Sequence, residues 1–114
     1  MSRLIGATLL SVLLVSPTWS QEKKVSHAEA LQAATTKVQP DYPLMAKQLK
    51  IEGAVELEAV VTDSGAVEKV NIKSGNPVLT RPAVEALKRW KFKPFTVDGK
   101  AVSALAEVTF NFKL

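Results

Sequence analysis

The sequence predicts an α+β domain of two layers, a three-stranded antiparallel sheet with helices packed on one face. Three observations carry this expectation. Residues 54–61 and 102–114 alternate between apolar and other side chains with a period of two, as half-buried strands do. Between them Ala83, Ala86, Leu87 and Trp90 recur at helical spacing. Asp63-Ser64-Gly65 and Asp98-Gly99 supply tight-turn chemistry next to these runs. Helices on one face of an antiparallel sheet is the packing that covers every apolar face so defined.

Taken in order, residues 21–25 are charged and predicted to be loose. Ser26 with Glu29 three residues on forms a capping box, so a helix is expected over 27–36, with Ala28, Leu31 and Ala34 as a thin apolar face and His27 exposed in its first turn. Gln39 and Tyr42 each precede a proline, which drives both toward extended geometry. Pro43 then suits the first turn of a second short helix, Asp41 lies where the helix dipole favours a negative charge, and Gly53 is available as the left-handed residue that ends it.

The first long strand places Val55, Leu57, Ala59 and Val61 on one face and Glu56 and Glu58 on the other. After the Asp63-Ser64-Gly65 turn the chain returns through Val67, Val70 and Ile72. The step from 67 to 70 breaks the alternation and predicts a bulge near Glu68-Lys69. Ser74-Gly75-Asn76-Pro77 ends this strand, and Thr80 is the expected cap of a helix opening at Arg81-Pro82. The last strand has Val102, Ala104, Ala106, Val108, Phe110, Phe112 and Leu114 inward. The predicted core is Leu57, Val61, Ile72, Leu87, Trp90, Phe110 and Phe112. A crossover through 81–90 returns the last strand beside the first and leaves it on an edge.

The chain length of 114 residues allows one domain. Arg3, the apolar run 4–15 and Thr18-Trp19-Ser20 read as a secretory leader over 1–20, cleaved before Gln21; Trp19 and Pro17 also suit a membrane interface, which keeps an uncleaved anchor open. Either way the rest is expected to be exported, as a segment 21–37 and a domain 38–114. With no cysteine the fold must rely on its core rather than on disulfides. The net charge of +4 is too mild to imply nucleic acid.

Catalysis has little to rest on. There is no cysteine nucleophile, a single histidine, no metal-ligand spacing and no phosphate-binding glycine loop, and Glu56 with Glu58 is what alternation places on any solvent face. We therefore expect no enzyme, no metal and no cofactor. Lys88-Arg89-Trp90-Lys91-Phe92-Lys93 mixes basic and aromatic residues as nucleic-acid binders do, but Trp90 completes the helix face and the cations suit a helix C-terminus. The more informative feature is the terminal strand. Its outer row of N–H and C=O groups has few protecting charges, and such an edge is either covered or used. It suits an extended peptide added as a further strand. Coverage by the N-terminal segment and pairing with a second copy are the other fates open to it.

Several of these features follow one another in a recognisable sequence: Gln39-Pro40-Asp41-Tyr42-Pro43, a short helix closing near Ile51-Glu52-Gly53, a hairpin over 54–74, and a helix ending in Trp90-Lys91-Phe92-Lys93-Pro94. Over residues 38–114 the chain closely resembles the C-terminal domain of TonB-family energy transducers. That resemblance implies that the last strand pairs with a short peptide, the TonB box, from the plug of a TonB-dependent outer-membrane receptor, with the motif segment beside it. Carried over by position, it points to Gln39, Asp41 and Tyr42, and to Ser103, Leu105, Glu107, Thr109 and Asn111 in the strand 103–112. It also implies the periplasm and a link to energy-coupled transport, with inner-membrane motor proteins as further partners if the leader is retained as an anchor. Such transducers carry a long membrane helix and a Pro/Lys-rich spacer. Residues 4–15 are a short run without histidine. Residues 21–38 lack proline and reach on the order of 50 Å at best, at about 3.1 Å per residue. An accessory or decoupled member of the system is therefore expected. The alternative is a self-associating envelope module, a homodimer closed through the 101–114 edge.

Overall fold

The structure, a computed structural model, describes residues 22–114; the leader expected over 1–20 lies outside them. Eleven elements follow in order: β1 (Lys23–Val25), α1 (His27–Ala33), β2 (Ala34–Thr36), α2 (Leu44–Gln48), β3 (Gly53–Val61), β4 (Val67–Ser74), α3 (Pro77–Lys88), β5 (Lys91–Phe92), β6 (Phe95–Val97), β7 (Lys100–Val102) and β8 (Ala104–Phe112). Among the described residues no helix is long and apolar enough to cross a membrane.

The main sheet has the order β1-β8-β3-β4. Its three long strands are antiparallel, as expected. β3 pairs with β8 from Gly53↔Phe112 to Val61↔Ala104 without a break. Alternation then puts Val55, Leu57, Ala59 and Val61 on the same face as Ala104, Ala106, Val108, Phe110 and Phe112, and all nine are buried. β4 and β8 flank β3 and both run against it, so the connection through α3 is a crossover. The fourth strand is an addition to the expected three. β1 pairs parallel with β8, Lys23↔Ala104 to Val25↔Ala106, so β8 is not an open edge there.

On β4 the register slips where Val60↔Lys69 gives way to Val61↔Val67. Glu68 is the extra residue, as the broken alternation predicts. Ile72, expected in the core, is 55% exposed. Its face is right, since it opposes buried Leu57, but β4 is an outer strand of the sheet, paired on one side only.

Three local corrections have local causes. α3 starts at Pro77, not Arg81: Asn76 is the N-cap, its side chain accepting from the Val78 N–H at 2.9 Å, and Pro77 takes the first helical position. Thr80, the expected cap, is buried one turn in, with its hydroxyl donating to the Pro77 carbonyl. α1 stops at Ala33 because Ala34 and Thr36 pair with β5; the Lys93 N–H donates to the Ala33 carbonyl at 2.8 Å. α2 is closed by Lys50, not Gly53. Lys50 is left-handed at φ 54°, its N–H donates to the Lys47 carbonyl and the Ile51 N–H to the Ala46 carbonyl at 2.8 Å, the double bond of a Schellman ending. Gly53 instead opens β3.

Trp90 joins the layers. It is 4% exposed, meets Phe110 edge-on at 5.7 Å between ring centres, and its indole N–H donates to the Val38 carbonyl at 2.9 Å. Phe92 is buried beside it, while Lys88, Arg89, Lys91 and Lys93 are exposed. The basic–aromatic run is thus a helix end whose aromatics pack inward.

Two substitutions test this reading. Gly65 and Gly99 both have positive φ, 91° and 79°. A Cβ on Gly65 would lie 1.9 Å from the Phe92 carbonyl oxygen, whereas one on Gly99 meets nothing within 4 Å. Gly65→Ala should therefore lower the denaturation midpoint far more than Gly99→Ala, well beyond about 1 kcal/mol; equal midpoints would show that the close approach of Phe92 is absent. Lys50→Gly should raise stability by roughly 0.5–1 kcal/mol, since glycine removes the left-handed Cβ penalty. A lowered midpoint would contradict that helix ending.

Candidate functional site

The geometry of the β8 edge follows from one hydrogen bond. In an antiparallel pair, the N–H and C=O of a residue point to the same side, and the side switches at each residue. The Thr109 N–H points away from β3, because it donates to the His27 imidazole Nδ1 at 3.1 Å. By parity Leu105, Glu107 and Asn111 also present their backbone groups outward. These four, with Ser103, are the strand residues that the resemblance implied.

Most of this edge is already occupied from within the chain. The Ser103 carbonyl accepts from the Lys23 N–H at 3.0 Å. Leu105 lies opposite Lys24 in the parallel β1–β8 pair. Thr109 is held by His27. Asn111 is exposed, beyond the reach of these contacts. His27 is therefore not simply exposed as the sequence suggested: it is half-buried at the start of α1, and its Nδ1 serves as an edge acceptor. Nothing in the local pattern around Ser26 signals a bond spanning 82 residues.

The side chains of the same strand residues stand on the sheet face opposite the core. Glu107 lies directly across from Glu58, a like-charge pairing that would be unfavourable alone. Lys73 from β4 answers it, with Nζ 3.1 Å from Glu107 and 3.8 Å from Glu58. The hydrogen bond from Lys73 to Glu107, then the charges of Glu107, Glu58 and Glu56, hold the Lys73 ammonium above its ordinary value. Glu107 is thus engaged with Lys73, a residue that the sequence reading had not singled out.

The motif segment lies elsewhere. Val38 is pinned by Trp90. The next residues, Gln39 and Asp41, face α3 across an open cleft of about 490 Å³ whose far wall carries Arg81, Glu85 and Arg89. Tyr42 turns away from this cleft. It donates its hydroxyl to the Ile51 carbonyl and meets Phe112 edge-on at 5.4 Å, tying the exit of α2 to the end of β8. Burial, and then the charge of Glu52, push its phenol up from the ordinary value of 10.0. The eight residues proposed from sequence therefore fall into three places: an α3 cleft, a structural clasp at the end of β8, and the β8 edge. Among the described residues there is no group of His, Cys, Asp and Glu that could hold a metal ion.

The family described as "Gram-negative bacterial TonB protein C-terminal" matches residues 38–114. This chain belongs to the TonB C-terminal family. It is similar to Protein TonB of Vibrio cholerae, 37% identical over 82 residues, which is 70% of this chain and 34% of that protein. It is also similar to Protein TonB of Escherichia coli, 36% identical over 83 residues, or 71% of this chain and 33% of that protein. The chain thus spans about a third of the length of these TonB relatives. Among solved structures, the solution NMR structure of the Pseudomonas aeruginosa TonB CTD superposes with a TM-score of 0.59 at 29% identity, covering 71% of this chain and 84% of that one. The α+β fold is in keeping with a TonB C-terminal domain. The family match begins at Val38, so β1, α1 and β2 lie outside it.

The clasp makes a test in solution. Tyr42 is the only tyrosine, so ultraviolet titration of the phenolate reports one group. Its folded value is raised, so its contribution to stability is complete below the unfolded value of about 10 and is lost as pH climbs through the folded value. The titration midpoint of the native protein should exceed that of the urea-unfolded chain, and Tyr42→Phe should abolish the signal. A native midpoint at or below the unfolded one would mean that the clasp is open.

Proposed function

We propose that this domain works in the periplasm as a receiving module for TonB-dependent outer-membrane receptors, taking an extended peptide of the receptor plug as an added strand along β8. The observation that carries this reading is that the β8 edge already accepts an extended segment in register, in the pairing of β1 with Leu105 and its neighbours. An edge that pairs one such segment has the geometry to pair another. Family membership supports the choice of partner. The main chain supplies most of the affinity, and the domain performs no catalysis. Its link to energy-coupled transport runs through the receptor, and inner-membrane motor proteins join only if the chain is anchored. A purely structural homodimer closed through residues 101–114 is the alternative reading, and it too would have to displace β1.

The test is titration of labelled receptor-plug peptides into the domain, followed by amide shifts. Shifts should concentrate on residues 103–112 and on 23–27, which share the edge. Asn111→Pro removes an outward N–H beyond the covered stretch, where proline is tolerated on an edge strand, and should weaken binding about fivefold to tenfold, the worth of one main-chain hydrogen bond with its strain. Shifts confined to the helices, or an Asn111→Pro protein that binds undiminished, would remove β8 as the receiving strand.

A further inference from the structure

We propose that β1 is an internal competitor: a short strand that closes the β8 edge in the free protein and must leave for a partner strand to enter. The inference rests on the reading of β8 as the receiving edge. Its basis is exclusion. An outward N–H or C=O of β8 accommodates one neighbouring strand at a time, and the stretch from Ser103 to Thr109 is taken by Lys23, β1 and His27. A partner strand and β1 cannot lie there together.

Four features fit β1 for release rather than for permanent service in the sheet. It has only three residues. A single side chain anchors it, Val25 at 2% exposure. Its flanking ion pair, Lys23 to Glu29 at 3.8 Å, is solvent-exposed and therefore weak. Finally, it lies outside the family match over 38–114, whereas the strand that it covers lies inside. Behind it, Ser26 is an extended N-cap and Ala30 of α1 is fully buried. The segment ahead of Ser26 therefore swings while α1 stays docked. Opening of short peripheral segments is the least costly local unfolding a domain performs.

The closed strand also describes its replacement. The incoming strand runs parallel to β8, carries a small apolar side chain where Val25 sits, and turns the side chain before it to solvent, as exposed Lys24 does. Until β1 leaves, the apparent affinity is reduced by the fraction of molecules in which the edge is open.

The chain has no cysteine, which permits a clean locking experiment in the full protein. Lys24→Cys with Leu105→Cys places a thiol on each member of a cross-strand pair. A short bis-maleimide, or oxidation, then holds β1 on β8. Binding of the receptor-plug peptide should fall at least about tenfold in the locked form and return in the unlocked one. Independently, Val25→Asp should free β1, speed amide exchange at Leu105, and tighten binding about tenfold. Equal binding by locked and unlocked forms, with shifts still on residues 103–112, overturns the competitor while leaving the receiving edge intact. Absence of peptide binding in the unlocked and Val25→Asp proteins alike, with the fast exchange present, overturns the receiving edge and the competitor with it.

Discussion

A strand that is paired on one side must dispose of the backbone groups on its other side, and much of this protein is arranged around how β8 does so. Its inner row bonds to β3 over the whole of both strands, and that register buries the apolar face on which the helices rest. Its outer row has no such partner from the domain proper. The N-terminal segment meets it with three residues of parallel strand and then, where the strand stops and α1 begins, with a single imidazole. The imidazole is needed because a helix has no spare backbone acceptor to offer at that point. The half-burial of His27 accompanies this contact with the unpaired row.

The second organising contact is Trp90. Position 90, just past the end of α3, would pack on the sheet with any large apolar residue. The indole N–H adds a bond to Val38, which fixes where the motif segment enters. From there Pro40 and Pro43 stiffen the path, and Tyr42 reaches the end of β8. Two aromatic side chains therefore convert a run of irregular chain into a positioned wall of the α3 cleft, with few regular hydrogen bonds of its own.

Much of this was legible because it depends on local rules. Alternation in 54–61 and 104–112 identifies the buried faces directly, the missing step between Val67 and Val70 locates the bulge, and Asp98-Gly99 marks the second hairpin turn, where both residues are left-handed. What the sequence hid was set by competition or by distance. Asn76 and Thr80 are both able to cap a helix, and Pro77 decides between them. Lys50 ends α2 although a glycine stands three residues later, because the hydrogen-bond geometry of that ending falls on position 50. Ile72 has the right face on the wrong strand, a matter of sheet order rather than pattern. β1 has too few residues for any periodicity, and its partner is far along the chain. For the candidate site the position of the edge could be read, but its occupancy could not.

The separation between β1 and its partner bears on how the molecule assembles. The β3–β4 hairpin closes over a five-residue loop, 62–66, and its contacts are local. β3 must wait for β8 across the whole of α3, and β1 must wait longer still, since His27 and Thr109 are 82 positions apart. Contacts of such long range close late and slow the approach to the native state. A molecule in which β3 and β8 have paired before β1 docks has a complete but unsealed sheet. In that state a neighbouring chain competes for β8 on the same terms as β1 does, so the yield of correctly folded monomer should depend on how dilute the protein is while it folds.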